Sequence, residues 1–118
     1  MKPFMDLVKE RYSVRHYLPR AIEPEKLNAV LEAGRVAPTA SNNQPQRVKV
    51  IKGADLAKMD ECTPCRFGAP AALLVCYDRE ACWKRSFDGA LSGEVDASIV
   101  TTHMMLAAHE LGRRTTDA

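Results

Sequence analysis

Hydrophobic residues recur at helical spacing in the first third of the chain and predict an amphipathic helix there. Pro24 suits the first turn of a helix. The residues that follow on one face, at i, i+3, i+4 and i+7, are Leu27, Val30, Leu31 and Gly34. A glycine on that face indicates close backbone contact with a neighbouring element. The helix should end before Pro38, because proline disfavours helical geometry at the residue before it.

A longer helix is predicted over residues 94–111. Its sequence is apolar around much of the circumference, which is typical of a core helix, and Gly112 follows as a terminator. Three polar residues share one face of it at heptad spacing, namely Asp96, His103 and Glu110. A helical metal site favours ligands at i and i+4, so we predict a polar stripe that faces solvent or a partner helix. One shorter helical pattern begins at Pro3, and another covers residues 55–59.

Extended segments lie between these helices. Residues 47–51 alternate between polar and apolar, and 70–77 form a continuous apolar run that is typical of a buried strand. Residues 11–17, here called the arginine segment, also alternate and suit an extended chain. This order predicts an α+β domain, an α/β sandwich with a central sheet flanked by helices. So few strands make a thin sheet, and we therefore expect the fold to be incomplete at the C-terminus.

The 118 residues suffice for one compact domain and are too few for two. With 46% hydrophobic and 27% charged residues, the composition is that of an ordinary globular protein and not of a disordered one. The net charge is +2, and no cationic run is longer than Arg113–Arg114. This modest charge argues against nucleic acid as a partner. A domain this small gains much from a cofactor or a second subunit.

The sequence predicts neither a membrane span nor a secretory leader. Its central apolar run contains Pro70 and is much shorter than the roughly 20 residues that a membrane helix requires. Residues 1–10 carry several charges and lack the apolar centre of a leader. We therefore expect a cytoplasmic protein with reduced cysteines. Cys62 and Cys65 lack the surroundings of a zinc or a thioredoxin-like site, so they are predicted to be ordinary loop thiols.

The arginine segment is the first candidate site. Because residues two apart share a face of an extended chain, Arg11, Ser13 and Arg15 should point together, while Tyr12 and Val14 point into the core. Two guanidinium groups and a hydroxyl form a good anion receptor, since arginine binds phosphate through a bidentate fork. A solvated strand edge with surface ion pairs has the same pattern, and taken alone it is the more common origin of such a motif.

The second candidate site is the stretch 38–45, here called the amide loop. Two prolines bound it, and four consecutive polar side chains, Ser41 to Gln44, lie between them. Amide groups offer both donors and acceptors, which suits the edge of a heterocycle such as the pyrimidine side of a flavin. Serine and asparagine are also typical of turns, so taken alone the loop is interpreted as a turn.

Together and in this order, the motifs resemble the nitroreductase family of FMN-dependent flavoproteins. The likeness begins with R-x-S-x-R at 11–15 and A-P-T-A-S-N-x-Q-P at 37–45. It continues with G-A-P at 68–70, ahead of the apolar strand, and with the long helix at 96–112. The resemblance covers residues 2–112. It implies a nitroreductase-like domain over 1–112, followed by an atypical polar tail at 113–118.

The resemblance also implies which residues bind the cofactor. Arg11 would hold the phosphate of FMN, Ser13 would support the ribityl or phosphate end, and Arg15 would lie near the pyrimidine ring, where a cation stabilises the negative charge of the reduced flavin. The family's second stretch reaches the flavin of the other subunit, and its counterparts here are Pro38, Thr39, Ala40 and Asn42. A homodimer with flavin at the subunit interface follows, because neither subunit completes a site alone.

The family's chemistry implies an oxidoreductase with NADH or NADPH as electron donor. NAD(P)H reduces the flavin and leaves, and a small-molecule acceptor, such as a nitroaromatic or a quinone, takes its place in a ping-pong reaction. The flavin carries the redox step, so no catalytic side chain and no metal are expected. Two alternatives stay open. One is a cofactor-free fragment whose long helix serves only dimerisation, and the other is a flavin-binding module without turnover.

Overall fold

The computed structural model describes residues 3–112. Its elements, in chain order, are α1 (Phe4–Glu10), α2 (Pro24–Arg35), a 3-10 turn (Ala40–Asn42), β1 (Gln46–Lys52), α3 (Asp55–Cys62), β2 (Ala71–Tyr77) and α4 (Gly93–Glu110). The predicted order of helices and strands is confirmed, and α3 extends almost one turn further than predicted. The polar tail predicted at 113–118 lies outside the described residues.

β1 and β2 form an antiparallel pair. Val48 lies opposite Val75 in the register, and with Leu73 these residues pack against the buried cluster of the helices. Side chains alternate across a strand, so the other face of β2 points away from this cluster. The prediction of a buried strand is wrong for that face, where Leu74 is 49% exposed and Cys76 is also exposed. Among the described helices, α4 packs on the inner side of β2, where Leu73 and Val75 contact the buried cluster.

The core lies between α2, α4 and the sheet. Val100 and Met104 are buried one turn apart on α4 and pack against Val30 and Ala37. Gly34 approaches α4 so closely that a Cβ atom there would stand 2.8 Å from the Sδ atom of Met104. This confirms the close contact predicted for Gly34. Burial of each large apolar side chain contributes about 1.5–3 kcal/mol, so a small set of residues centred on α4 carries much of the stability.

α4 is covered along one face, which corrects the prediction of a core helix. Its buried residues are Gly93, Asp96, Val100 and Met104. Val95 and Met105, by contrast, are 63% and 43% exposed. The predicted polar stripe is wrong at its first member, because Asp96 is 2% exposed and faces the protein. The other two members differ from it, since His103 is half-buried and Glu110 is exposed.

The end of α4 has the expected terminator. Gly112 has a φ of +82°, and its backbone N–H donates a hydrogen bond to the carbonyl oxygen of His109 at 3.0 Å. Glycine takes up this left-handed conformation without a steric penalty, which is why the helix ends here. Among residues 3–112, none of the helices has both the length and the apolar character needed to cross a bilayer.

Candidate functional site

The arginine segment runs as an extended chain beside the second half of α4 and does not join the sheet. Arg11 Nη1 makes a long contact of 3.9 Å with the Sδ atom of Met105. The ring of Tyr12 meets that of His109 edge to face, with centroids 6.3 Å apart. At the far end, the backbone N–H of Tyr17 donates to the carbonyl oxygen of Phe67 at 3.2 Å. The segment is therefore held at both ends.

A cavity of about 310 Å³ lies between the arginine segment, α2, β2 and α4. Arg11 and Ser13 contribute polar groups to its wall. The apolar part of the wall includes Val14, Val30, Leu73, Val75 and Met104. Arg15 is exposed and is not among the residues that line this cavity. The structure therefore brings two of the three predicted anion-binding residues to one cavity.

The inward side of the arginine segment differs from the prediction. Tyr12 is 49% exposed, because its ring packs against His109 on the surface of α4 and does not enter the core. Val14 is half-buried and lines the cavity. Sequence reasoning assigned no role to His109. No local signal marks it, since its aromatic partner comes from the opposite end of the chain.

The arginines of this segment are not neutralised within the described chain. Elsewhere, guanidinium groups pair with carboxylates, as Arg66 does with Asp60 at 2.7 Å. Hydrogen bonds donated by Arg66 hold the pKa of the Asp60 carboxyl below its ordinary value. Among residues 3–112, neither Arg11 nor Arg15 forms such an ion pair. Their guanidinium donors are available to an anion, which fits the first candidate site.

The amide loop is closed by its own side chains. Thr39 Oγ1 accepts hydrogen bonds from the backbone N–H and from the side-chain Nε2 of Gln44, both at 3.0 Å. The same Nε2 atom donates to Oδ1 of Asn42 at 2.8 Å. Gln44 Oε1 in turn accepts from Nε2 of Gln46 at 2.9 Å. The loop is therefore a hydrogen-bonded unit, which goes beyond the turn predicted from its composition.

Three residues of the amide loop adopt left-handed backbone conformations although none is glycine. The φ angles are 53° at Ser41, 53° at Asn42 and 51° at Gln44. Such conformations cost about 1–3 kcal/mol each and persist where the surrounding structure over-determines them, often at ligand sites. The side-chain hydrogen bonds of the loop offset this cost.

Asp96 anchors the amide loop to the first turn of α4. Its Oδ1 atom accepts a hydrogen bond from the backbone N–H of Ala40 at 3.0 Å, and its Oδ2 atom accepts one from the hydroxyl of Ser92 at 2.7 Å. At the other end of the loop, the backbone N–H of Asp78 donates to the carbonyl oxygen of Pro45 at 2.9 Å. Sequence reasoning missed this role. The available signal was a carboxylate in the first turn of a helix, where the helix dipole favours it.

The structure does not bring the two candidate sites together within one chain. Arg11 contacts α4 at Met105, whereas Ala40 contacts it at Asp96. At a rise of about 1.5 Å per residue, these contacts are about 14 Å apart along the helix. The predicted cofactor-binding residues of the loop are exposed or half-buried: Pro38, Thr39, Ala40 and Asn42. The residues that line the 310 Å³ cavity include none of them.

The two neighbouring cysteines, Cys62 and Cys65, lie apart from both sites. Cys62 ends α3, and the backbone N–H of Cys65 donates to Oγ1 of Thr63 at 3.1 Å. Both are exposed free thiols. Within the described part of the chain, no group of three or more potential ligands is placed to hold a metal ion.

Solved structures define the class of this fold. A nitroreductase family protein from Clostridium difficile superposes with a TM-score of 0.89 and 46% identity, covering 94% of this chain and 64% of that one. A Desulfovibrio desulfuricans protein solved in complex with FMN gives a TM-score of 0.76 and 34% identity over the same shares. The α+β fold is therefore that of the nitroreductases.

The model of the Nitroreductase family matches residues 8–66, and the chain belongs to this family. A curated relative from Archaeoglobus fulgidus, provisionally named an NADH dehydrogenase/NAD(P)H nitroreductase, is 33% identical over 95% of this chain. A relative of the same name from Methanothermobacter thermautotrophicus is 29% identical over 92% of it. The chain spans 64% and 56% of the lengths of these two relatives.

Proposed function

We propose that the chain is an FMN-dependent NAD(P)H oxidoreductase of the nitroreductase type, acting on small acceptors such as nitroaromatics or quinones. The observation that carries the proposal is the position of Arg11 and Ser13 on a cavity that also has a large apolar wall. A phosphorylated ring system needs a cation for the phosphate and an apolar wall for the ring. Further support comes from the relative of 34% identity that was solved with FMN.

The donor set and the size of the cavity fit this cofactor. Among residues 3–112 the guanidinium of Arg11 forms no ion pair, and its long contact with the Met105 sulfur is weak compared with a charge-assisted bond to phosphate. The volume of about 310 Å³ lies at the lower end of the range for ligand cavities, about 300–1,000 Å³. A second subunit would add the remaining walls.

Each residue of the arginine segment would have its own part in binding. Arg11 would hold the phosphate through its two-pronged guanidinium, and the Ser13 hydroxyl would support the ribityl or phosphate end. Arg15 is exposed beyond the cavity, where it would lie near the pyrimidine ring. Its positive charge would stabilise negative charge on that ring.

The amide loop would complete the site of a second copy. Its residues meet α4 about 14 Å from the contact of Arg11, and none of them lines the cavity beside Arg11, which favours a site completed by a second copy. The exposed Val95 and Met105 on α4 are apolar surface that a second copy would bury. A homodimer therefore accounts for both features, with Pro38, Thr39, Ala40 and Asn42 serving the partner's flavin.

The redox chemistry would come from the cofactor. FMN, when bound, supplies hydride transfer, taking two electrons and a proton from NADH or NADPH and passing the electrons to an acceptor. The chain's own groups bind and orient the cofactor and offset its charge, and the proposal requires neither a side-chain nucleophile nor an acid–base pair. A cytoplasmic location stays a prediction from the sequence.

Reconstitution with FMN tests this proposal. The purified chain is incubated with FMN, separated from the free cofactor by gel filtration and examined by visible absorption. We expect yellow protein. Under anaerobic conditions, the protein should lose its colour when NADH or NADPH is added and regain it when a nitroaromatic is added. Colourless protein contradicts the proposal and supports the cofactor-free fragment. Colour that does not bleach supports a binding module without turnover.

A further inference from the structure

Asp96 is a buried charged residue that the proposed function leaves unused. It is 2% exposed and lies in the first turn of α4. A buried carboxylate is costly unless its oxygens accept hydrogen bonds, and both of them do, from Ala40 at 3.0 Å and from Ser92 at 2.7 Å. The positive end of the helix dipole also favours a negative charge at this position.

The bond from Ala40 to Asp96 crosses the fold. Ala40 begins the 3-10 turn, and the next two residues, Ser41 and Asn42, are the first of the left-handed ones. The other hydrogen bonds of the amide loop run within it or to neighbours outside α4, as from Asp78 to Pro45. Within the described residues, the carboxylate of Asp96 therefore ties this strained turn to α4.

We propose that Asp96 is a positioning residue for the cofactor. By accepting the bond from Ala40, it fixes the part of the amide loop, including Asn42, that would meet FMN bound to the partner subunit. This inference rests on the proposed function. Asp96 does not line the 310 Å³ cavity beside Arg11, so it acts through the loop and does not touch the reacting groups.

Three variants separate the hydrogen bonds, the charge and the packing. Asp96→Ala removes both acceptor oxygens. Asp96→Asn keeps a carbonyl oxygen for Ala40, and its amide can donate to the hydroxyl of Ser92, so it removes the charge and reverses the direction of the bond with Ser92 but keeps the acceptor of Ala40. Val100→Ala is the control for lost packing, because Val100 is 0% exposed one turn further along α4 and belongs to the hydrophobic core cluster.

The first measurement is hydrogen exchange of the Ala40 backbone amide in protein without cofactor. We expect exchange about tenfold faster in Asp96→Ala, because a bond to a charged acceptor is lost. In Asp96→Asn and Val100→Ala the rate should stay within about threefold of wild type. An unchanged rate in Asp96→Ala, or equal acceleration in Val100→Ala, overturns the anchoring role.

The second measurement is the dissociation constant of FMN, which is determined from the visible absorption of the bound flavin. Asp96→Ala should bind FMN about tenfold more weakly, and Asp96→Asn should restore the affinity. Val100→Ala should bind like wild type although it unfolds at a lower temperature. Faster exchange with unchanged affinity in Asp96→Ala overturns the link to the cofactor. If the wild-type chain binds no FMN, the proposed function is wrong, and the exchange of Ala40 still decides whether Asp96 anchors the loop.

Discussion

The amide loop and the arginine segment are both irregular and polar, yet the protein holds them in opposite ways. Thr39, Gln44 and Asn42 bind one another across the loop, and Asp96 fixes it from outside. The arginine segment is held at its ends, and its guanidinium groups form no ion pairs in the part of the chain that the structure describes. The loop thus has its shape in advance, whereas the segment keeps its donors for a ligand.

This difference assigns different physical tasks to the two sites. A preorganised loop loses little conformational freedom when a ligand arrives, so it favours one shape of ligand over another. Exposed guanidinium groups contribute attraction to a phosphate, and salt screens that attraction. We therefore expect changes in the loop to alter stability and fit, and changes in the arginine segment to alter affinity and its dependence on salt.

The largest expected effect comes from disturbing the start of α4, which holds the amide loop through Asp96. Gly93 begins α4, and a Cβ atom there would collide with the ring of Tyr77 at the end of β2. We expect Gly93→Ala to lower the free energy of unfolding by about 3 kcal/mol, measured by urea denaturation. In the control Gly89→Ala, no atom stands within 4 Å of the new Cβ. At residue 89 the positive φ alone should lower the free energy of unfolding by about 1–2 kcal/mol once the glycine is replaced. Equal losses contradict this account.

The next largest effect concerns the arginine segment. Arg11→Ala should weaken FMN binding about tenfold to a hundredfold, because charge-assisted hydrogen bonds to phosphate are lost. The effect should shrink as salt is added. Arg20→Ala is the matched control, since Arg20 is exposed and lies outside the proposed site. Fluorescence titration of FMN measures both. Equal affinities of the two variants would remove Arg11 from the phosphate site.

A smaller effect tests whether the loop closes itself. Thr39→Val removes the acceptor of two hydrogen bonds from Gln44 and should cost about 1–2 kcal/mol of folding stability. Thr102 is an exposed residue of α4 whose hydroxyl donates to the backbone carbonyl oxygen of Ser98. The same change there should lower folding stability by less than about 0.5 kcal/mol. Thermal and urea unfolding provide the measurement. A loss at Thr39 no greater than that at Thr102 would show that the loop does not depend on this network.

The smallest expected effect concerns backbone strain in the loop. Ser41 has a φ of 53°, so Ser41→Gly relieves a left-handed conformation and should change stability by less than about 1 kcal/mol, in the stabilising direction. The matched change at Ser98, in the exposed middle of α4, should destabilise by about 0.5 kcal/mol, because glycine weakens helices. If both changes destabilise the protein equally, Ser41 is not strained.

Local spacing accounts for what the sequence predicted well. The apolar face of α2 and the terminator Gly112 depend on neighbours within a few turns, and the structure confirms them. A glycine on that apolar face also indicated a close approach, although the partner that provides it, Met104 on α4, is remote in the sequence. The two candidate sites stay predictions, and they too came from short motifs. Neither motif indicates how the residues are held.

Contacts between distant parts of the chain account for the errors. Tyr12 was expected in the core, but its partner His109 lies on the surface of α4. Asp96 was expected on a polar stripe, but Ala40 reaches it from a remote loop. Leu74 lies on an apolar strand, and periodicity alone does not tell which face of such a strand the helices will cover.

The bond between Ala40 and Asp96 joins residues 56 positions apart, and this separation bears on the order of folding. A contact of such span forms late, because the intervening chain must first give up its freedom. We expect the turn that would face the cofactor to take its final form together with the other long-range contacts of α4, such as that between Gly34 and Met104. Flavin capture by a nascent or refolding chain would therefore report completed folding. Loss of this bond should speed unfolding while leaving the folding rate nearly unchanged.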